Sequence, residues 1–160
     1  MASESVLILF TLSPDAEGRR KSLGLGRPEQ AADVFAVLLD HLENVCSGLQ
    51  DVDLLIATPV SSEPARHARR NYLPQRGRSF GESLRLAVDD AFSLGYRRVV
   101  VIGNDSPEIS RSYLENAFDA LGSSGPRAVT TSNRTRSPTT ASSTAVVRNP
   151  IRHAPDARTR

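Results

Sequence analysis

The sequence predicts a mostly parallel α/β sheet flanked by helices, and three observations carry that expectation. Two stretches, Val6-Leu7-Ile8-Leu9-Phe10 and Val99-Val100-Val101-Ile102, are short, wholly apolar and bounded by turn residues, the pattern of strands covered on both faces. Helical segments with apolar residues three or four apart lie between and after them. The resulting order of strand, loop, helix, strand, loop, helix, strand, acid and helix is that of a nucleotide-binding α/β domain.

Ser5 to Leu12 forms the first strand. It gives way to Ser13-Pro14-Asp15-Ala16-Glu17-Gly18, read as a loop, and then to the cationic cluster Arg19-Arg20-Lys21-Ser22. Pro28-Glu29 opens a helix, with proline and an acid where the first turn favours them. Ala31, Phe35, Leu38, Leu42, Val45 and Leu49 give that helix an apolar face, and Gly48 lies near its end. Asp53 to Thr58 is the second strand. Residues 59–78 are polar and rich in Arg, and Glu63, Arg66, His67, Arg69 and Arg70 suggest a short helix ended by Pro74. A further helix follows, with Leu84, Ala87, Val88 and Ala91 inward and Gly95 as its stop. The central strand then runs from Arg97 to Ile102. Ser110 caps the next helix, which carries Leu114, Ala117, Phe118 and Leu121 and stops at Gly122. Ala128-Val129-Thr130 begins a fourth strand. From Thr131 to Arg160 the composition is Ser, Thr, Arg, Pro and Ala, too poor in apolar surface to offset the entropy of ordering. The expected organisation is therefore a domain over 1–130 and a disordered basic tail over 131–160.

A length of 160 residues fits one domain. The single Cys46 excludes an internal disulfide and any multi-cysteine metal site, and its helical, apolar surroundings mark it as a buried structural thiol. The N-terminus lacks the basic region of a signal peptide, and no stretch approaches the ~18 apolar residues of a membrane span. A cytoplasmic protein without a membrane partner is expected. Seven Arg and one acid, Asp156, lie from Arg127 onward, a net +6 that leaves −4 on the preceding residues of a chain whose formal charge is +2. The basic pI of about 9.1 thus belongs to the tail. The body offers no basic groove with interleaved aromatics, so nucleic acid is not the expected partner.

Two places carry candidate chemistry. Asp105 lies just beyond the central strand, after Gly103, where open α/β sheets bind ligands. It is either a metal or phosphate-site residue or, together with Ser106, only a cap of the turn before the next helix, with Pro107 at the first helical position. Arg19, Arg20, Lys21 and Ser22 follow the first strand, where cations would neutralise phosphate oxygens, or they form a solvated surface loop. No phosphate-binding Gly-x-x-x-x-Gly-Lys loop is present, and Gly24-Leu25-Gly26 lacks the third glycine of a dinucleotide fingerprint.

Taken in order, Val6 to Thr11, Gly18-Arg19-Arg20-Lys21-Ser22, Leu73-Pro74-Gln75-Arg76-Gly77, Phe80-Gly81-Glu82-Ser83-Leu84 and Gly103-Asn104-Asp105-Ser106-Pro107-Glu108-Ile109 resemble a bacterial family. It is the glycosyltransferase family related to the arsenosugar-biosynthesis glycosyltransferase, within the nucleotide-diphospho-sugar transferase (GT-A) superfamily. The resemblance covers Val6 to about Leu121. It implies a Rossmann-like GT-A sheet, a nucleotide-diphosphate sugar donor as partner and an acceptor it does not identify. It places Arg19, Arg20, Lys21 and Ser22 at the donor's phosphates. Gly81, Glu82 and Ser106 fall in its substrate-site segments. Asp105 matches the acid that holds Mg²⁺ or Mn²⁺ against the diphosphate, as a hard cation prefers. This chain departs from the family at Leu23, Ser79 and Ser83, where arginine, aspartate and arginine are usual. It also lacks the family's acceptor-side segment after Leu121, as a degenerate end or a change of reading frame would leave it. The alternative implied is a non-catalytic nucleotide-binding or regulatory remnant of the fold.

Overall fold

The computed structural model describes residues 3–21, 23–59, 71–104, 107–122, 127–131 and 144–148. In chain order the elements are β1 (Ser5–Phe10), α1 (Pro14–Arg20), α2 (Pro28–Ser47), β2 (Val52–Thr58), β3 (Asn71–Pro74), α3 (Phe80–Ser93), β4 (Arg98–Gly103), α4 (Arg111–Leu121), β5 (Arg127–Thr131) and β6 (Thr144–Arg148). Among the described residues the strands form one sheet in the order β3-β2-β1-β4-β5-β6. The first five run parallel, and β6 returns antiparallel along β5. The predicted mostly parallel α/β architecture is the observed one.

The two apolar runs that announced the fold are its two middle strands. Val6 to Leu9 and Val99 to Ile102 are all at most 1% exposed. Their alternation divides the core between two faces. Leu7, Leu9, Val100 and Ile102 pack with Leu39, Leu42 and Cys46 of α2 and Leu114, Phe118 and Leu121 of α4. Val6, Ile8, Val99 and Val101 pack on the other side with Leu55, Ala57, Leu73 and Ala87, Val88 and Ala91 of α3. Cys46 lies in the first cluster, 4% exposed, as its surroundings predict.

Three segments differ from the sequence reading. Ser13 to Gly18, expected as a loop, contributes most of α1. Ser13 is its N-cap, accepting from Ala16 N at 3.3 Å, and Pro14 sits in the first turn. That start signal outweighs the turn composition of the same residues. β3 occupies part of the stretch expected to be irregular. It is one edge strand of the described sheet, where a terminal proline costs no ladder bond, and Leu73 supplies its apolar anchor. The short helix suggested around Glu63 to Arg70 falls outside the described residues. Finally, β6 lies within the segment read as a disordered tail. An edge strand needs little more than backbone pairing along β5, which the apolar content of the segment does not show, and the rest of the expected tail, 132–143 and 149–160, lies outside the described residues.

Candidate functional site

The parallel sheet brings the C-terminal ends of β2, β1 and β4 to one edge. Phe10 pairs in register with Ala57 on one side and Gly103 on the other. From β1 the chain crosses over to β2 on one flank, while β4 lies on the other flank. This reversal of winding makes the carboxyl ends of β1 and β4 the topological switch point of the sheet, the ligand position of open α/β sheets.

The residues leaving β1 are held closely. Thr11 N donates to Ala57 O at 3.0 Å, which extends the ladder by one residue, and the Thr11 hydroxyl donates to Leu12 O at 2.8 Å. Gln75, just beyond β3, reaches back over this edge. Its Nε2 donates to Thr11 O at 2.9 Å and Ala57 O at 2.7 Å, while its backbone N donates to Thr58 O at 3.0 Å. One residue thus ties together the ends of β1, β2 and β3. Two carbonyl acceptors also fix which way the amide faces, since its oxygen cannot take that position. In the sequence Gln75 stands only within the stretch Leu73-Pro74-Gln75-Arg76-Gly77, with nothing but its place to mark a role of its own. The missed signal was a polar residue directly after an edge strand.

The cation cluster belongs to the end of α1. Arg19 and Arg20 are exposed in its last turn, where positive charge complements the helix dipole. Lys21 is the C-cap residue. Its Nζ lies 3.3 Å from Glu17 Oε2 and 5.4 Å from the centroid of the Phe35 ring. Glu17 is 5% exposed, so Lys21 neutralises a buried carboxylate. Gly18 explains how this end of α1 packs. A Cβ there would stand 2.6 Å from Pro28 O and 2.7 Å from Ala32 N, so only glycine lets α1 lie on the first turns of α2.

Gly81 and Glu82 lie in the first turn of α3. Ser79 Oγ accepts from Glu82 N at 3.2 Å, and Glu82 Oε2 accepts from Arg78 N at 2.7 Å. This reciprocal arrangement is close to a capping box and gives Glu82 a structural task at the helix start. The preceding turn needs Gly77, whose φ is +122° and whose Cβ would meet Ser83 N at 2.9 Å. Arg76 completes the corner with two bonds to Asp90, at 2.5 and 2.6 Å.

At the end of β4, Asn104 is 4% exposed. Asp105 and Ser106 lie outside the described residues, as does Ser22. α4 begins at Arg111, and Ser110 Oγ caps it by accepting from Tyr113 N at 3.2 Å. The N-cap of α4 is therefore Ser110, as predicted. Pro107 precedes the helix, where the capping alternative had put it at the first helical position. Among the described residues, no three His, Cys, Asp or Glu side chains gather as a metal cage. Nor, among them, is any helix long and apolar enough to cross a membrane.

The family model described as "Uncharacterized protein conserved in bacteria (DUF2064)" matches residues 44–133, more than half of the chain. The span includes Gln75, Phe80, Glu82 and the end of β4, and it begins after the cation cluster. No curated protein matches the chain. Five chains of known structure do. One is the crystal structure of a protein from Desulfovibrio desulfuricans G20 named a putative nucleotide-diphospho-sugar transferase, with a TM-score of 0.63 and 24% identity. The match covers 73% of this chain and 54% of that one, so this chain spans about half the length of that structure.

Proposed function

We propose that this chain, which belongs to the DUF2064 family of bacterial proteins, binds the diphosphate of a nucleotide-diphosphate sugar at the switch point between β1 and β4. The observation that carries the reading is the reversal of winding at β1, with Phe10 and Gly103 in register and the segment of Asp105 leaving directly from β4. The fold shared with the Desulfovibrio protein supports it. Within this proposal Asp105 is the acid that holds Mg²⁺ or Mn²⁺. A magnesium-like ion takes one or two carboxylates and completes its shell with phosphate oxygens and water. The metal would offset negative charge on the diphosphate. Arg19, Arg20 and Ser22 are the proposed phosphate contacts from the β1 side, with Lys21 partly engaged by Glu17.

Transfer to an acceptor is a second, separable proposal. This chain spans 54% of the matched structure, and binding requires less of the fold than turnover does. Kinship with the arsenosugar-type transferases belongs to this second proposal.

The deciding experiment titrates nucleoside diphosphates into wild type and Asp105→Asn, with and without Mg²⁺. Asn retains the turn-forming capacity of Asp, so the melting temperature should stay the same. Metal-dependent affinity should fall at least tenfold in the variant, the scale of a lost charged contact of ~1.5–3 kcal/mol. Equal affinity in both proteins removes Asp105 from the site. Turnover of a sugar donor separates transfer from binding alone.

A further inference from the structure

Phe80 is the first residue of α3 and is 70% exposed, an unusual setting for a large aromatic ring. Its helix does not depend on it, because the capping at Ser79 and Glu82 uses neighbouring residues. The ring is nevertheless held in place. Phe10, the last residue of β1, meets it edge to face, with centroids 5.4 Å apart and planes at 81°. Among the described residues the surroundings are open: both register partners of Phe10 are small, Ala57 and Gly103, and a Cβ added at Gly81 would meet none of them within 4 Å. The two rings therefore stand at the carboxyl edge of the sheet, beside the switch point, with room over Phe80. The Gln75 amide is anchored at the same strand ends. Its nitrogen is committed to Thr11 O and Ala57 O, which among the described residues leaves Oε1 as an acceptor for an N–H on the rim of a planar ligand.

We propose that Phe80, braced edge-on by Phe10, is the stacking platform for the nucleobase of the bound nucleotide. An exposed ring fixed by a neighbour loses little freedom when a second planar ring lies on it, so most of the stacking energy appears as affinity. Every base has a π face, so the platform itself accepts purines and pyrimidines. The assignment rests on the donor-binding reading and adds to it the part of the donor that reaches α3.

The test measures binding of ADP, GDP, CDP and UDP, the matching free nucleosides and inorganic pyrophosphate to wild type, Phe80→Ala and Phe80→Tyr. Melting temperatures are recorded alongside. Phe80→Ala should weaken the best nucleoside diphosphate about tenfold, the scale of one lost base–aromatic stack. Phe80→Tyr, which keeps the ring, should retain wild-type affinity, and pyrophosphate should bind all three proteins alike. Unchanged nucleotide affinity in Phe80→Ala overturns the platform and leaves the donor reading standing. Equal loss for nucleotide and pyrophosphate also overturns it, since the effect then lies outside the base. Nucleoside binding that depends on Phe80 without any diphosphate or pyrophosphate binding keeps the platform and removes the donor reading. A wild type that binds none of these probes removes both.

Discussion

Lys21 shows how one residue can serve two tasks. Its charge neutralises Glu17, which is 5% exposed, and its proposed role is at a phosphate. Lys21→Ala therefore leaves a buried carboxylate without its cation. The cost should fall between the ~0–1 kcal/mol of an exposed pair and the ~3–5 kcal/mol of breaking a fully buried one. Adding Glu17→Gln should restore most of that stability, as urea denaturation of the two single variants and the double variant will show. Any loss of nucleotide affinity that survives in the double variant belongs to phosphate contact. The Glu17–Lys21 spacing of four was legible in the sequence as a helical pair, but only once Ser13 and Pro14 were read as a helix start. The burial of Glu17 was not legible, because it depends on Gly18 letting α1 settle on α2.

Among the elements, the strands and helices with a full apolar face were readable. β1, β2, β4, α2, α3 and α4 each carry enough side-chain pattern to declare themselves. Those missed were α1, seven residues long and defined by its cap, and β3 and β6, defined mainly by backbone pairing to a neighbour. Short edge strands draw their order from the sheet they join, so the information lies in distant residues. The corner after β3 shows the same dependence, since Gln75 bonds Thr11 across 64 positions of sequence. Gln75→Leu keeps a similar volume and deletes two donors to strand-end carbonyls. It should destabilise the protein by about 1–3 kcal/mol, the range for leaving a buried acceptor unpaired, here Thr11 O, since Ala57 O keeps its bond from Thr11 N. A shift in the urea midpoint without a change of slope will confirm that the loss is local bonding.

At the scale of the whole molecule, two protons couple stability to alkaline pH. Burial, reinforced by nearby Glu43, pushes the Cys46 thiol up from 9.0 to about 12. Burial, the hydrogen bond from Tyr96 Oη to Asp53 Oδ2 at 2.9 Å and the charge of that carboxylate push the Tyr96 phenol up from 10.0 to about 12. Both groups hold their protons more tightly when folded, so their contribution is complete below the unfolded values and is lost as pH rises. Urea midpoints should hold to about pH 9 and then fall progressively to pH 12, within the window set by the two groups. Tyr96→Phe should flatten the part above pH 10, and Cys46→Ala the part that begins at pH 9. The architecture behind this behaviour was legible from two apolar runs. The candidate site was legible only in outline. A strand-end acid reads from sequence, but an exposed aromatic at a helix start does not declare what stands behind it, and Phe10 lies 70 positions earlier.

The central place of β1 has a consequence for synthesis. Ser5 pairs with Val52 on one edge and with Arg98 on the other, so the strand made first completes its ladder only after β4 has been translated. At ~5–20 residues per second the ribosome needs roughly 5–20 s to cover that interval. Through it the chain carries the uncharged run Val6 to Phe10 with one edge open to any other nascent strand. Pairing over so long a separation is also slow to form, because the intervening loop must close first. The segment that anchors the finished sheet is thus the one most in need of chaperone cover while the protein is being made.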